Sequence, residues 1–186
     1  MLINPSPQSD ADPQKNDSIV RRAQAFAENA HGSIGHLRKY TEDPYTIHLH
    51  GVAELVASVP HTEAMVAAAF LHDVVEDVAS VKISDIENAF GKEVASLVCW
   101  LTDVSIGHPG NRRIRKTLDR EHIERAPAEA QTIKLADIID NAASIRAGDP
   151  KFWVVYQGEC LQLLSVLSKG DPVLRQRAAS ALIDNL

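Results

Sequence analysis

Residues 62–77 read T-E-A-M-V-A-A-A-F-L-H-D-V-V-E-D, and this stretch decides both the fold class and where chemistry is to be sought. Its first ten residues are mostly apolar. Pro60 and Thr62 stand in front as a helix-opening signal, the threonine oxygen being able to accept from a backbone N–H of the first turn. Side chains four apart share a helix face. On a helix running to Asp77, Met65, Ala69, His72 and Glu76 form one stripe, and Val66, Phe70, Asp73 and Asp77 form its neighbour. Both stripes are apolar at the N-terminal end and ionisable at the C-terminal end. Four ionisable groups on a core-facing side are costly to bury unpaired. Either they reach water at the helix end, or they bind something that pairs them. A divalent cation does this well, because carboxylate and neutral imidazole are its ligands.

Outward from this segment the pattern stays helical from Ser18 onward. An Ala-rich amphipathic helix is expected over 19–30, with Ile19, Ala23, Phe26 and Ala27 on one side. A loop of 31–45 carries Gly32, Gly35 and Pro44, and a helix of about 47–58 follows. Ser84 with Glu87 three residues on predicts a capping box, and Gly91 interrupts after Phe90. Val94, Leu97, Val98 and Leu101 make a core stripe. A helix from Pro127 runs to about 147 and is ended by Gly148. Gly148-Asp149-Pro150 and Gly170-Asp171-Pro172 share one punctuation: helix stop, N-cap, first helical residue. Alternating period-2 runs and Asn-Gly hairpin turns are absent. The expectation is an all-α fold of seven to nine helices with no sheet. Residues 1–17, with Pro5, Pro7 and Pro13, read as a mobile N-terminal arm, and 18–186 as a single domain.

The 186 residues are 45% hydrophobic and 24% charged, an ordinary composition for a chain with a real core. Net charge is −6, which does not point to nucleic acid or a membrane surface as partner. An anionic substrate would need a local basic site or a metal. Cys99 and Cys160 both lie in apolar helical patterns and give neither a disulfide framework nor a zinc pattern. No basic start followed by an apolar run is visible, and no apolar run reaches membrane-spanning length, so a cytoplasmic location is expected.

One His-Asp pair does not complete a metal site. His48 starts a helix whose apolar stripe is Val52, Leu55, Val56 and Val59. Asp137 sits inside the otherwise apolar Ile133-Lys134-Leu135-Ala136-Asp137-Ile138-Ile139, with Asn141 on the same face four residues on. Taken in order, His48, His72-Asp73 and Asp137 resemble the HD phosphohydrolase superfamily. The closer resemblance is to the hydrolase domain of RelA/SpoT-type enzymes and to stand-alone small alarmone hydrolases. It is carried by Ala25-Phe26-Ala27 with His31, Arg38-Lys39, Pro44-Tyr45 with His48, and Gly51-Val52-Ala53. It continues in His72-Asp73 with Glu76-Asp77, Phe90-Gly91 with Val94, and Lys134-Leu135-Ala136-Asp137 with Asn141.

The resemblance implies a helical HD-domain fold with a metal site in its core. It implies hydrolysis of the 3′-pyrophosphate of guanosine tetra- or pentaphosphate, with Mn²⁺ and release of pyrophosphate. His48, His72, Asp73 and Asp137 would be the metal ligands, and Glu76 and Asp77 would position and deprotonate the attacking water. Asn141 would orient substrate, and Arg38 and Lys39 would line the nucleotide pocket. The chain departs from the family in the added length of Gly32-Ser33-Ile34-Gly35. It departs again at Ile138 and Ala143, where the family commonly carries cations.

Blander readings stand beside these. His50, two residues from His48, faces differently on helical spacing, and the family register favours His48. Arg38-Lys39 reads equally as an exposed loop pair. Segment 111–125 sets six basic side chains against three acidic ones, and reads as a salt-bridged exposed helix or as a source of phosphate-binding cations. Trp100, Phe152, Trp153 and Tyr156 read as core. Two alternatives to the alarmone reading remain. One is an HD phosphohydrolase acting on another phosphorylated nucleotide. The other is a non-catalytic HD regulatory module, which would be expected to have lost Glu76, Asp77 or a ligand. Homo-oligomerisation is left open.

Overall fold

The computed structural model describes residues 18–183, so the expected arm at 1–17 lies outside the described residues. Among them are ten helices and no strand: α1 (Ile19–Ser33), α2 (Thr46–Ala57), α3 (Glu63–Leu71), α4 (Val74–Asp77), α5 (Ile83–Phe90), α6 (Lys92–Leu101), α7 (Arg112–Arg125), α8 (Ala128–Gly148), α9 (Pro150–Val166) and α10 (Pro172–Ile183). A single isolated bridge, Leu37 to Pro44, ties the loop between α1 and α2. No helix of the described residues is long and apolar enough to cross a membrane.

The cap residues explain most of the boundaries. Ser18 Oγ accepts from Arg21 N–H, Thr62 Oγ1 from Met65 N–H and Asn111 Oδ1 from Ile114 N–H. Asp149 Oδ1 accepts from Phe152 N–H ahead of Pro150, and Asp171 Oδ1 from Val173 and Leu174 N–H ahead of Pro172. Each satisfies a backbone donor that the helix itself cannot. The cap of α5 lies earlier than Ser84 and Glu87 suggest: the helix starts at Ile83, and it is Asp85 Oδ2 that accepts from Lys82 N–H.

α3 is buried along Ala64–Leu71, as expected of a helix apolar all round. Its alanines let α1, α2, α6 and α8 approach closely, and α8 in turn carries α9 and α10 on its other side. The 62–77 segment is not one helix. It stops at Leu71, passes through a turn at His72 and Asp73, and restarts as α4. Asp73 (φ −101°, ψ −6°) is the break, and its carbonyl accepts from Glu76 and Asp77 N–H. This split accounts for ten helices where up to nine were expected. It also moves Glu76 and Asp77 off the straight stripes that a continuous helix would give.

Candidate metal centre

Three elements converge at the break after α3. α2 brings His48 from its first turn, the α3–α4 turn brings His72 and Asp73, and the middle of α8 brings Asp137. His48 and His72 are fully buried, and their Nε2 atoms face each other at 3.2 Å. Asp73 Oδ2 lies 3.0 Å from His72 Nε2 and 3.6 Å from His48 Nε2. Asp137 Oδ1 lies 3.5 Å from His48 Nε2 and 3.9 Å from His72 Nε2. His50 points away: its Nε2 meets Glu28 Oε1 at 2.8 Å, and its side chain is 41% exposed.

The remaining ring nitrogens fix the tautomers. His72 Nδ1 faces the Ala69 carbonyl at 2.7 Å, which can only accept, so Nδ1 carries the proton. His48 Nδ1 faces Asp140 Oδ2 at 2.7 Å, and an ionised carboxylate likewise only accepts. In the neutral rings both Nε2 atoms therefore present lone pairs to each other, with two carboxylates beside them. A cation held by His48, His72 and Asp73, whose donor atoms all lie within 4.8 Å of one another, would satisfy them, with Asp137 Oδ1 beside the two imidazoles; ligand bonds of about 2.0–2.2 Å give donor separations of the size seen around His48 and His72. The residues present fit a divalent metal ion.

The electrostatics point the same way. Burial opposes a charged His48, but hydrogen bonds to Asp140 and Asp73 and the charge of Asp137 overcome it and raise the ring to about 9. His72 is likewise raised against burial by Asp73 and Asp137. Burial also works against the carboxylates, yet His72 and His48 hold Asp73 well below the usual range, and Lys134 and His72 hold Asp137 below it. The cluster draws positive charge, supplied by protons when no metal is bound.

Asn141 stands on the Asp137 face as expected, while the supporting roles of Tyr45, Lys134 and Asp140 escaped sequence reading. The Tyr45 hydroxyl donates to Asp73 Oδ2. Lys134 Nζ donates to Asp137 Oδ2 at 2.8 Å, and Asn141 Nδ2 to Asp137 Oδ1 at 2.6 Å. Lys134 is i−3 from Asp137 and Asn141 is i+4, so helix spacing places both beside it. Asp140 also accepts from Arg38 Nη1 at 2.6 Å, while Arg38 Nη2 donates to Ser144 Oγ at 2.8 Å. Arg38, expected in the nucleotide pocket, is thus committed to the scaffold behind His48. Lys39 is exposed, its ammonium 5.0 Å from the Tyr40 ring centroid and 5.7 Å from that of Phe152. Asn141 lines the cavity while holding Asp137.

Asp73, Asp137, Glu76 and Asp77 open onto a cavity of about 570 Å³. Glu76 Oε1 accepts from Asp103 N–H at 2.6 Å. Burial, followed by the charges of Asp103 and Asp73, raises Glu76 to about 8, and burial with Asp73 raises Asp77 to about 6. The same cavity is lined by Arg112, Arg113, Lys116 and Arg120 of α7. Arg112 is paired to Glu159 at 2.7 Å, Lys116 to Asp103 at 2.7 Å, and Arg120 Nη1 to Gln162 at 2.8 Å. Trp153 is core, whereas Trp100 and Tyr156 line the cavity. In the sequence these α7 cations and two aromatics were indistinguishable from a solvated face and from core. Only their place in the lining of the same cavity as Asp137 and Glu76, set by the fold, singles them out.

A model of the HD domain family matches residues 23–169. A probable guanosine-3′,5′-bis(diphosphate) 3′-pyrophosphohydrolase of Synechocystis is 34% identical over 136 residues, 72% of this chain and 17% of that protein. The guanosine-3′,5′-bis(diphosphate) 3′-pyrophosphohydrolase MESH1 of Drosophila melanogaster is 34% identical over 114 residues, 60% of this chain and 62% of that one. The chain therefore spans less than two thirds of the length of these two relatives. A solved structure of a metazoan ortholog of SpoT that hydrolyses ppGpp superposes with a TM-score of 0.78 at 26% identity, covering 89% of this chain and 94% of the other.

Proposed function

The chain belongs to the HD domain family, and from that premise we propose that it is a metal-dependent phosphohydrolase that removes the 3′-pyrophosphate of guanosine 3′,5′-bis(diphosphate). The observation that carries the reading is the pair of facing imidazole Nε2 atoms, 3.2 Å apart, with Asp73 and Asp137 beside them lining a cavity that four cations of α7 also line. Likeness to the two pyrophosphohydrolases and to the SpoT ortholog supports the substrate class.

In this reading His48, His72, Asp73 and Asp137 hold the ion, taken as Mn²⁺. When bound, a divalent cation supplies Lewis acidity to a phosphoryl oxygen and acidifies water. Asp140 and the Ala69 carbonyl keep the two imidazoles in the ligating tautomer. Lys134 and Asn141 fix the Asp137 carboxylate, and Tyr45 fixes Asp73. Glu76 and Asp77 position the attacking water and take its proton. Their raised basicity suits a base that works near neutral pH. The water oxygen joins the 3′-phosphorus, the bond from that phosphorus to the 3′-oxygen breaks, and the leaving 3′-oxygen becomes a hydroxyl by taking up a proton equivalent to the one Glu76 and Asp77 removed from the water. Arg112, Arg113, Lys116 and Arg120 offer charge-assisted contacts to the phosphates, and Trp100 and Tyr156 an aromatic wall for the base.

One observation favours a second reading of the same chemistry. Arg38 is spent on Asp140 and Ser144, and Ile138 and Ala143 carry no charge, so recognition of a different phosphorylated nucleotide fits the same floor. The test is a screen of phosphate and pyrophosphate release across nucleotides with the Mn²⁺-loaded chain. Pyrophosphate from guanosine tetraphosphate alone supports the first reading, and a stronger signal from another nucleotide supports the second.

A further inference from the structure

We propose that His31, His36 and Asp77 form a second divalent-cation site beside the first, one that takes a transition-metal ion with two imidazole nitrogens and one carboxylate oxygen. Ligand atoms of the three all lie within 4.8 Å of one another. His31 Nδ1 and His36 Nδ1 face each other at 3.0 Å, and Asp77 Oδ2 stands 3.6 Å from His36 Nδ1. Bonds of about 2.0–2.2 Å with angles of 90–110° require donor separations of roughly 3.0–3.6 Å.

The protein's own contacts do not account for this arrangement. One proton shared between the two Nδ1 atoms leaves His31 bonded only to another histidine. Its Nε2 is buried without a hydrogen-bond partner and the residue is 1% exposed, so the ring's polar engagement rests on Nδ1 alone. A buried imidazole so poorly satisfied calls for a reason. A cation in place of the proton engages both Nδ1 lone pairs and the Asp77 carboxylate together. Burial depresses His31 to about 4 and lowers His36 as well, which keeps both rings in the neutral, ligating form.

The site is built by the segment Gly32-Ser33-Ile34-Gly35 between the two histidines. α1 runs on through Ser33, and Gly35 turns the chain at φ +60° so that His36 N–H donates to the His31 carbonyl at 3.0 Å. The His36 ring then lies flat on Tyr45, with centroids 3.9 Å apart and planes 9° apart, and Tyr45 donates to Asp73 of the first cluster. His36 and Asp77 are 27% and 31% exposed in their side chains, so an ion can reach them from solvent. With Asp77 holding an ion, removal of the water proton falls to Glu76. The inference depends neither on the substrate nor on the ligand roles of His48, His72, Asp73 and Asp137.

Zn²⁺ and Co²⁺ binding to the chelator-stripped full chain tests it, read by calorimetric stoichiometry and by the visible absorption of bound Co²⁺. His36 sits on the loop and is partly exposed, so His36→Gln leaves the helical core untouched. Two ions are expected in the unaltered chain, one in His36→Gln, one in Asp73→Asn and none in the double variant. A single ion that Asp73→Asn loses and His36→Gln keeps overturns the second site and leaves the first standing. A single ion with the opposite pattern supports the second site and removes the first. No ion at all overturns both.

Discussion

Asp140 stands behind His48: its Oδ2 accepts from His48 Nδ1 at 2.7 Å and from Arg38 Nη1 at 2.6 Å. One carboxylate thus fixes the tautomer of a candidate ligand and neutralises a cation 102 residues away in the chain. Burial opposes its ionisation, but His48 and Arg38 outweigh that and hold it below the usual carboxylate range. Groups that orient a metal-bound histidine typically matter by about 10–100-fold in metal affinity. Asp140→Ala should therefore weaken Mn²⁺ binding by about that factor while the helical content stays. Unchanged affinity in a calorimetric titration would remove Asp140 from the site.

Gly51 is the space that Asp140 occupies, since a Cβ on Gly51 would overlap the Asp140 carboxylate. Gly51→Ala should push that carboxylate off His48 and lose a similar share of metal affinity. Because both changes break the same contact, the double variant should bind little worse than Asp140→Ala alone. Additive losses would show that Gly51 acts elsewhere.

Asp73 and Glu76 should separate binding from turnover. Asp73→Ala removes a carboxylate lying 3.0 Å from His72 Nε2, and should abolish metal binding and activity together. Glu76→Gln should keep the ion and lose about 10²–10⁴-fold in turnover, the usual contribution of a general base. Equal loss of metal in both variants, measured on dialysed protein, would merge the two roles.

How much of this was legible in sequence follows from the range of each interaction. Caps act over three residues, so Asp149 with Pro150 and Asp171 with Pro172 could be read directly. Lys134 and Asn141 stand one helical turn from Asp137, and their support could have been read from spacing alone. The break at Asp73 could not, because nothing in His72-Asp73 forbids helix; the turn follows from tertiary placement of these two side chains toward His48 and Asp137. Arg38 with Asp140, and α7 with the cavity, are long-range pairings with no local signature.

Without metal, stability should fall as pH rises above about 6.5; below that, His31, lowered to about 4, adds an opposing gain. His48 titrates at about 9 in the folded protein against 6.5 ordinarily, Glu76 at about 8 against 4.5, and Asp77 at about 6 against 3.8. A raised folded value gives stabilisation that is present below the unfolded value and lost as pH climbs through the folded one. These three losses together span roughly pH 4–9. Asp73, Asp137 and Asp140 are lowered, so their contribution is present above 3.8 and lost on acidification. Cations compete with these protons, so Mn²⁺ should lift the alkaline side most. The check is Tm against pH, with chelator and with Mn²⁺. A chelated protein that gains stability between about pH 6.5 and 9 would contradict the assignment.

The most direct measurement of the central claim is ³¹P NMR of guanosine 3′,5′-bis(diphosphate) incubated with the Mn²⁺-loaded chain. The 3′-diphosphate resonances are expected to disappear, free pyrophosphate to grow in stoichiometrically and the 5′-diphosphate to remain, with all change halted by chelator. Intact 3′-diphosphate alongside hydrolysis of another nucleotide, or release of single phosphates that chelator does not stop, would contradict it.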